Sequence, residues 1–469
     1  MKITVYGGAN EIGGNLILVE GKNTKLVLDC GTALVNEEGE TNNSNILKKT
    51  KNTPESVKDL INRKILPEIK GLFNDGENTK NIDAVFITHS HIDHYASLKF
   101  IRNDIPVYMG SVSEIFLDAS LRFNISNGIK KDNIKLIENE LNEKKNIEIG
   151  DFIIEPVQMD HSILDSKGYY IKEKTTGKNL FYTGDFRIQD LKTLDKFKKN
   201  NPDCLIIEGT KIKKGNEAND SLKTEEDVMN KISEDLKDNK NKFAFAVLSG
   251  QNIERLLSFY QAAIKNGYRF VIDGYIAYIL YKLDLYYNNA KNNDYKLFKL
   301  EEYSVFVDNS DKRKGGDKYV NKFGDDKDYK ELLRKIGKNK IKTYDINKSN
   351  NSTDKFLMII RDGNFETIQK LNGYDDNSIV IYSMWEGYLE ESAELNDFIN
   401  KMKEKGKYYY AHTSGHSDIK SIKVLVKKLN PKKLIPVHTL GAKYFKEIFS
   451  TENPEMEVKI PEKGKTITI

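Results

Sequence analysis

Residues 88–94 read THSHIDH, with four metal-type donors (His89, His91, Asp93, His94) inside six residues, directly after the apolar run IDAVFI. Successive side chains on a strand point to opposite faces, and on a helix only positions three or four apart are neighbours. Four donors packed this closely cannot share one face of either element. They fit a loop wrapped around a cation, and imidazole with carboxylate is a donor set that suits zinc. A solvated polar loop is the plainer alternative, but the whole chain has only seven histidines and three of them stand here.

The other four histidines occupy similar positions. His161 follows a strand-like run in QMDHSILDS, His412 and His416 lie in AHTSGHSD, and His438 ends the run LIPVH. Asp185 in YTGDF is the matching carboxylate, set at a strand terminus by the Gly184 turn. Taken singly, each would more often be a cap or a satisfied core residue. Their joint placement points to one site built from early and late parts of the chain, and hence to one domain interrupted by another.

The hydropathy pattern agrees with that organisation. ITVY, NLILVE and TKLVLDC are short β-prone runs separated by turn formers. A helix is expected to start near Thr53-Pro54, with Val57, Leu60, Ile61 and Ile65 at helical spacing. SVSEIFLDASLRF reads as a helix, and DFIIEPVQ, GYYIKE, NLFYTG and DCLIIEG as strands. Residues 222–288 alternate helix and strand, which predicts a parallel α/β layer with its own core. Residues 289–353 are rich in Asn, Lys and Asp and are expected to form long loops, with FLMIIR and SIVIYS restoring strands and a helix near 391–404. The last segment, KYYYAH to KLIPVH, repeats strand, loop, helix and strand. The expected domains are 1–211, 212–404 and 405–469, the first and last forming one fold.

With 469 residues, 38% of them hydrophobic and 31% charged, the chain is globular and large enough for two or three domains. No run approaches the roughly 18–20 apolar residues of a membrane helix, and the start MKITVYGGANEIGGN has no apolar core of signal-peptide length. A cytoplasmic protein without membrane partners is expected. Cys30 and Cys204, each in an apolar run, are too few for a disulfide framework or a thiolate site and read as buried thiols. A formal charge of +4 neither announces nor forbids a nucleic-acid partner.

HSHIDH matches the H-x-H-x-D-H signature of the metallo-β-lactamase superfamily, and TGDF its bridging-aspartate motif. The resemblance implies an αββα sandwich in which His89, His91 and His161 hold one zinc while Asp93, His94 and His438 hold the other, with Asp185 bridging. Two Zn2+ ions are therefore expected, Mn2+ being the alternative. The long insertion resembles the β-CASP domain of nucleic-acid-processing members. Glu208 in IIEGT fits that group's motif A, His416 in HTSGHS motif B, and His438 in PVH motif C, where a histidine resembles RNA-processing members. NEIGGN, HSILDSKG, SGQNIERLLSFYQAA and HTSGH followed by NPKKLIPVH are similar to segments of ribonuclease J.

What this implies is a zinc-dependent ribonuclease that hydrolyses single-stranded RNA by metal-activated hydroxide, leaving 5′-phosphate and 3′-hydroxyl ends. Asp93, Glu208 and His416 are the candidate catalytic residues, His416 oriented by Glu208 to protonate the leaving oxygen. His412, Thr413, Ser414 and Gly415 are candidates for holding a neighbouring phosphate. Motif A is Glu where ribonuclease J typically has Asp, and Thr439-Leu440 replaces the usual Gly-Glu. The roughly thirty residues after His438 leave no room for that family's extra C-terminal domain, so an abbreviated enzyme is expected, monomer or dimer. Three other readings stay open: a DNA nuclease for repair or defence, a hydrolase of a small ester or nucleotide, and a scaffold that binds RNA without cutting it.

Overall fold

Within the strand Cys204–Glu208, Cys204 and Ile206 pack into one apolar layer while Leu205 and Ile207 pack into another. This period of two, repeated along neighbouring strands, is what a sheet buried on both faces requires. The computed structural model describes residues 1–35, 56–76, 81–123, 128–138, 146–189, 194, 197, 201–213, 222–237, 239, 241–289, 300–306, 326–348, 354–391 and 393–469. These fall into two compact units, Met1–Asn219 with Gly415–Ile469, and Asp220–Ser414.

The first unit contains two seven-stranded sheets. One runs, in spatial order, Thr466–Thr468, Lys2–Gly7, Leu16–Glu20, Lys25–Leu28, Ala84–Phe86, Val107–Gly110 and Ile134–Ile137. Its N-terminal strands pair antiparallel and the rest parallel, with Val27 opposite Val85 and Val85 opposite Val107. The other runs Glu457–Val458, Lys433–Val437, Cys204–Glu208, Asn179–Tyr182, Lys167–Glu173, Phe152–Gln158 and Ile147–Ile149. Its first four strands are parallel, so Cys204 faces Leu180 on one side and Lys433 on the other.

Between the sheets lies a continuous core that includes Val5, Ile17, Leu28 and Phe86 from one and Ile154, Ile171, Tyr182, Ile206 and Val437 from the other. The outer faces are covered by helices. Leu60 and Leu117 pack with Leu16, Val85 and Val107, and Ile422, Leu425, Phe445 and Phe449 pack with Phe181, Leu205 and Leu434. The layering is therefore helix, sheet, sheet, helix, as the resemblance implied.

The second unit is built on one sheet in the order Lys340–Ile341, Ser304–Phe306, Tyr268–Asp273, Lys355–Ile359, Phe243–Val247, Ser378–Tyr382 and Tyr408–Tyr410. Every pairing is parallel. Phe243–Val247, Phe356, Met358, Val380 and Ile381 are all buried, the near-continuous apolar pattern of a parallel sheet with both faces covered.

Two local expectations need correction. The early helix is Val57–Asn62, capped by the Ser56 side chain, which accepts from Asp59 N–H, so Ile65 falls beyond it. Ser supplies the cap oxygen next to the apolar face; Thr53-Pro54 lie outside the described residues. The 289–353 stretch is not all loop. It contributes the strand Ser304–Phe306 and the helices Lys327–Ile336 and Thr343–Lys348. Tyr329, Leu332 and Ile336, at helical spacing, are buried on one face of the first helix, and the six charged residues among its ten hid that stripe from a compositional reading. No described helix is long and apolar enough to cross a membrane.

Candidate metal centre

Most of the donors sit on loops that leave the ends of the first unit's strands, but Asp93 and His94 lie on the one-turn helix Ile92–Tyr95 and not in the loop expected for the whole motif. His89 comes three residues after Ala84–Phe86, Asp185 three after Asn179–Tyr182, and His438 directly after Lys433–Val437. Two backbone features allow the crowding. At Gly31 an added Cβ would lie 1.5 Å from the Asp93 carbonyl oxygen, so only glycine lets that loop pass. His438 adopts φ 53° and is held there by its N–H donating to the Gly8 carbonyl at 2.7 Å. A left-handed non-glycine residue costs of order 1–3 kcal/mol and persists where surrounding structure imposes it.

The side chains gather into two groups. In one, His91 Nδ1 lies 3.0 Å from His89 Nε2 and 3.2 Å from His161 Nε2. In the other, His438 Nε2 is 3.0 Å from Asp93 Oδ2, and His94 Nε2 is 3.1 Å from Asp185 Oδ2 and 3.6 Å from Asp93 Oδ2. Asp185 Oδ2 also stands 4.0 Å from His89 Nε2, 3.9 Å from His161 Nε2 and 3.6 Å from His438 Nε2, between the groups. All seven expected ligands are thus brought together.

The donor set fits divalent cations on three observations. Burial, with His94, His91 and His161 adding like charge, pushes the His89 pKa well below its ordinary value, and burial does the same to His161. Burial likewise pushes His91 down to about 4. The three rings are neutral and point lone pairs at one another, at separations close to the roughly 3.3 Å edge of a tetrahedron with 2.0–2.1 Å zinc–nitrogen bonds. Asp185 Oδ1 is buried without a hydrogen-bond partner, which a buried carboxylate oxygen rarely tolerates. His94 is the exception that balances charge: burial opposes its proton, but Asp185, Asp29 and Asp93 raise its pKa well above the ordinary value. A cation bound among these carboxylates would displace that proton.

Glu208 and His416 form a pair beside this centre. His416 Nδ1 is 3.2 Å from Glu208 Oε1 and 3.8 Å from Asp185 Oδ2, and its ring keeps 21% exposure. Burial disfavours its charge, yet Glu208 and then Asp185 push its pKa up to about 9. Glu208 is fully buried at the end of its strand and accepts from Thr210 N–H at 2.9 Å.

Of the four residues expected to hold a phosphate, Gly415 belongs to the first unit, where its carbonyl lies 2.7 Å from His161 Nδ1. His412, Thr413 and Ser414 belong to the second. There His412 Nδ1 is 3.2 Å from the Ser383 carbonyl, and the Thr413 carbonyl accepts from the buried Arg255 at 3.0 Å.

The sequence reading missed the groups that back the ligands. Asp29, at φ 56°, accepts from Thr88 N–H at 2.7 Å and Tyr182 O–H at 2.7 Å, and its Oδ2 lies 2.8 Å from His94 Nδ1. Its one signal was an acidic residue closing the apolar run TKLVLDC before Gly31. Thr88 and Thr210 carried no signal beyond adjacency to the motifs.

Family models match three stretches of the chain. Residues 9–117 match the metallo-beta-lactamase superfamily model, 68–228 a beta-lactamase superfamily domain, and 401–461 a Zn-dependent metallo-hydrolase RNA specificity domain. Ribonuclease J of Corynebacterium glutamicum is 28% identical over 222 residues, 45% of this chain and 26% of that protein. Ribonuclease J2 of Bacillus subtilis is 26% identical over 289 residues, 58% of this chain and 45% of that protein. The matched part thus spans a quarter to just under half of these relatives. A crystal structure of a protein of unknown function from Enterococcus faecalis V583 covers 100% of this chain at a TM-score of 0.70 and 18% identity, a likeness of fold.

Proposed function

From the premise that the chain is a ribonuclease J-like protein of the metallo-β-lactamase superfamily, we propose that it is a two-zinc ribonuclease acting on single-stranded RNA. The observation that carries this reading is the pair of inward-facing donor groups sharing Asp185 Oδ2, with a charged His416 at its rim. His89, His91 and His161 would hold one ion, Asp93, His94 and His438 the other, and Asp185 both. Divalent cations bound there lower the pKa of water towards neutrality and offset charge developing on a phosphoryl oxygen.

The chain's own residues supply the rest. Asp93 is opposed by burial, but His94 and His438 hold its pKa down to about 2, so it stays anionic and acts through its charge and ligand oxygen, not as a proton carrier. Glu208 holds His416 by Nδ1, which presents Nε2 of the protonated ring. As water that has given up one proton to solvent adds to phosphorus and the P–O3′ bond breaks, the His416 proton passes to the departing 3′-oxygen, leaving a 5′-phosphate and a 3′-hydroxyl, and His416 is reprotonated from solvent. The insertion 220–414 takes the part of a β-CASP domain, and Gly415 with His412, Thr413 and Ser414 is the candidate loop for a neighbouring phosphate. Ribonuclease J names among the relatives favour RNA, although attack on phosphorus by water does not itself need a 2′-hydroxyl.

The test is incubation of the full chain with 5′-labelled single-stranded RNA and DNA, after chelation and after return of Zn2+ or Mn2+. Metal-dependent RNA cleavage with 3′-hydroxyl ends is expected. RNA left intact with metal bound overturns the reading, and cleavage of DNA alone replaces it with the deoxyribonuclease.

A further inference from the structure

Each imidazole of the two donor groups turns one nitrogen inward, and four of them are held from behind by the other. His94 Nδ1 meets Asp29 Oδ2 at 2.8 Å, and His161 Nδ1 meets the Gly415 carbonyl at 2.7 Å. His89 is held differently: its Nδ1 lies 3.0 Å from Thr88 Oγ1, which is itself 3.0 Å from both oxygens of Asp29. An ionised carboxylate only accepts, so the Thr88 hydroxyl gives its one proton to Asp29 and takes the His89 Nδ1–H.

The same order of carboxylate, hydroxyl and imidazole recurs at His438. Thr210 Oγ1 is 2.9 Å from Glu208 Oε2, 2.8 Å from His438 Nδ1 and 3.2 Å from His416 Nδ1. A hydroxyl has one proton and two lone pairs. Glu208 Oε2 takes the proton; the His438 carbonyl, at 3.4 Å, is a weaker second acceptor. One lone pair then accepts the His438 Nδ1–H, and the other faces the His416 Nδ1–H, which is shared with Glu208 Oε1 at the same 3.2 Å. With its Nδ1–H given to Thr210, His438 turns Nε2 to Asp93 Oδ2, 3.0 Å away, and that nitrogen can exchange a proton for a cation shared with the carboxylate.

We propose that Thr210 is a positioning residue: its hydroxyl selects the tautomer that makes His438 a metal ligand and ties that ligand to the Glu208–His416 pair. The inference rests on the two-metal reading above but not on the substrate. Groups that orient a ligand in this way typically account for 10–100-fold in metal affinity.

The experiment compares Thr210→Val, which keeps the shape and removes the hydroxyl, with Thr210→Ser, which keeps the hydroxyl. Metal-stripped full chains are titrated with Co2+, following its visible absorption, and RNA cleavage is measured separately. Expected for Thr210→Val are one of the two Co2+ equivalents weakened by about 10–100-fold, a changed absorption band, and a lower kcat at unchanged KM. Thr210→Ser should restore all three. Tight binding of both equivalents by Thr210→Val overturns the proposal, as does failure of Thr210→Ser. If Thr210→Val does not fold, Thr210→Ala is titrated instead against the same criteria. A wild-type chain that binds Co2+ but leaves RNA uncut defeats the ribonuclease reading and leaves the Thr210 proposal standing; a wild-type chain that binds no Co2+ defeats both.

Discussion

The two units bury polar groups in opposite ways. In the second, Arg255 is 1% exposed and its five N–H donors all find acceptors within the unit. Glu225 takes two, at 2.8 and 2.9 Å, the Ser383 carbonyl and hydroxyl take two, and the Thr413 carbonyl takes one. That buried charge is complete and ties the Glu225–Lys237 helix to the strand ends beyond Tyr382 and Tyr410. In the first unit, His89, His91 and His161, each pushed by burial towards its neutral form, turn ring nitrogens towards one another, and Asp185 Oδ1 has no partner. Burial of acceptors against acceptors is costly. A closed network serves the fold; an open one of this kind is a site waiting for a cation.

That contrast can be broken in order of expected effect. Asp185→Asn or His89→Ala should abolish RNA cleavage and lower metal retention, read by elemental analysis after desalting; a variant with full metal content and full rate would deny the groups their role. His416→Ala should keep both metals and lose about 10²–10⁴ in kcat, the range for a positioned proton donor. Unchanged kcat would remove His416 from the reaction.

In the second unit, Arg255→Met removes the buried guanidinium from the partly exposed Glu225 and from the buried Ser383 and Thr413 carbonyls. It should cost about 3–5 kcal/mol of that unit's stability, seen by chemical denaturation, with the metal content of the first unit intact. Loss of metal instead of stability would invert the comparison. At the small end, Asp328→Asn removes a half-exposed pair with Lys282, whose nitrogen lies 2.9 Å away, and should change stability by about 1 kcal/mol or less. A large effect there would mean that the unit depends on its rim as much as on Arg255.

How much of this was legible in the sequence follows from the reach of each signal. Strand and helix patterns are local, so SVSEIFLDASLRF and DFIIEPVQ were read close to their observed bounds. The helix Lys327–Ile336 escaped because three buried side chains in a charged segment leave the composition polar. The C-terminal strand Thr466–Thr468 escaped too, since its pairing with Lys2–Thr4 lies at the far end of the chain.

The identity of the donors was a property of the chain alone: imidazoles and carboxylates clustered at strand ends have few other uses. Which nitrogen of each ring turns inward was not. A tautomer is chosen by the group behind the ring, and those groups arrive from far along the chain, Asp29 from 65 residues before His94 and Thr210 from 228 before His438. Only the stacking of two sheets, which brings the ends of their parallel strands to one place, could make that choice.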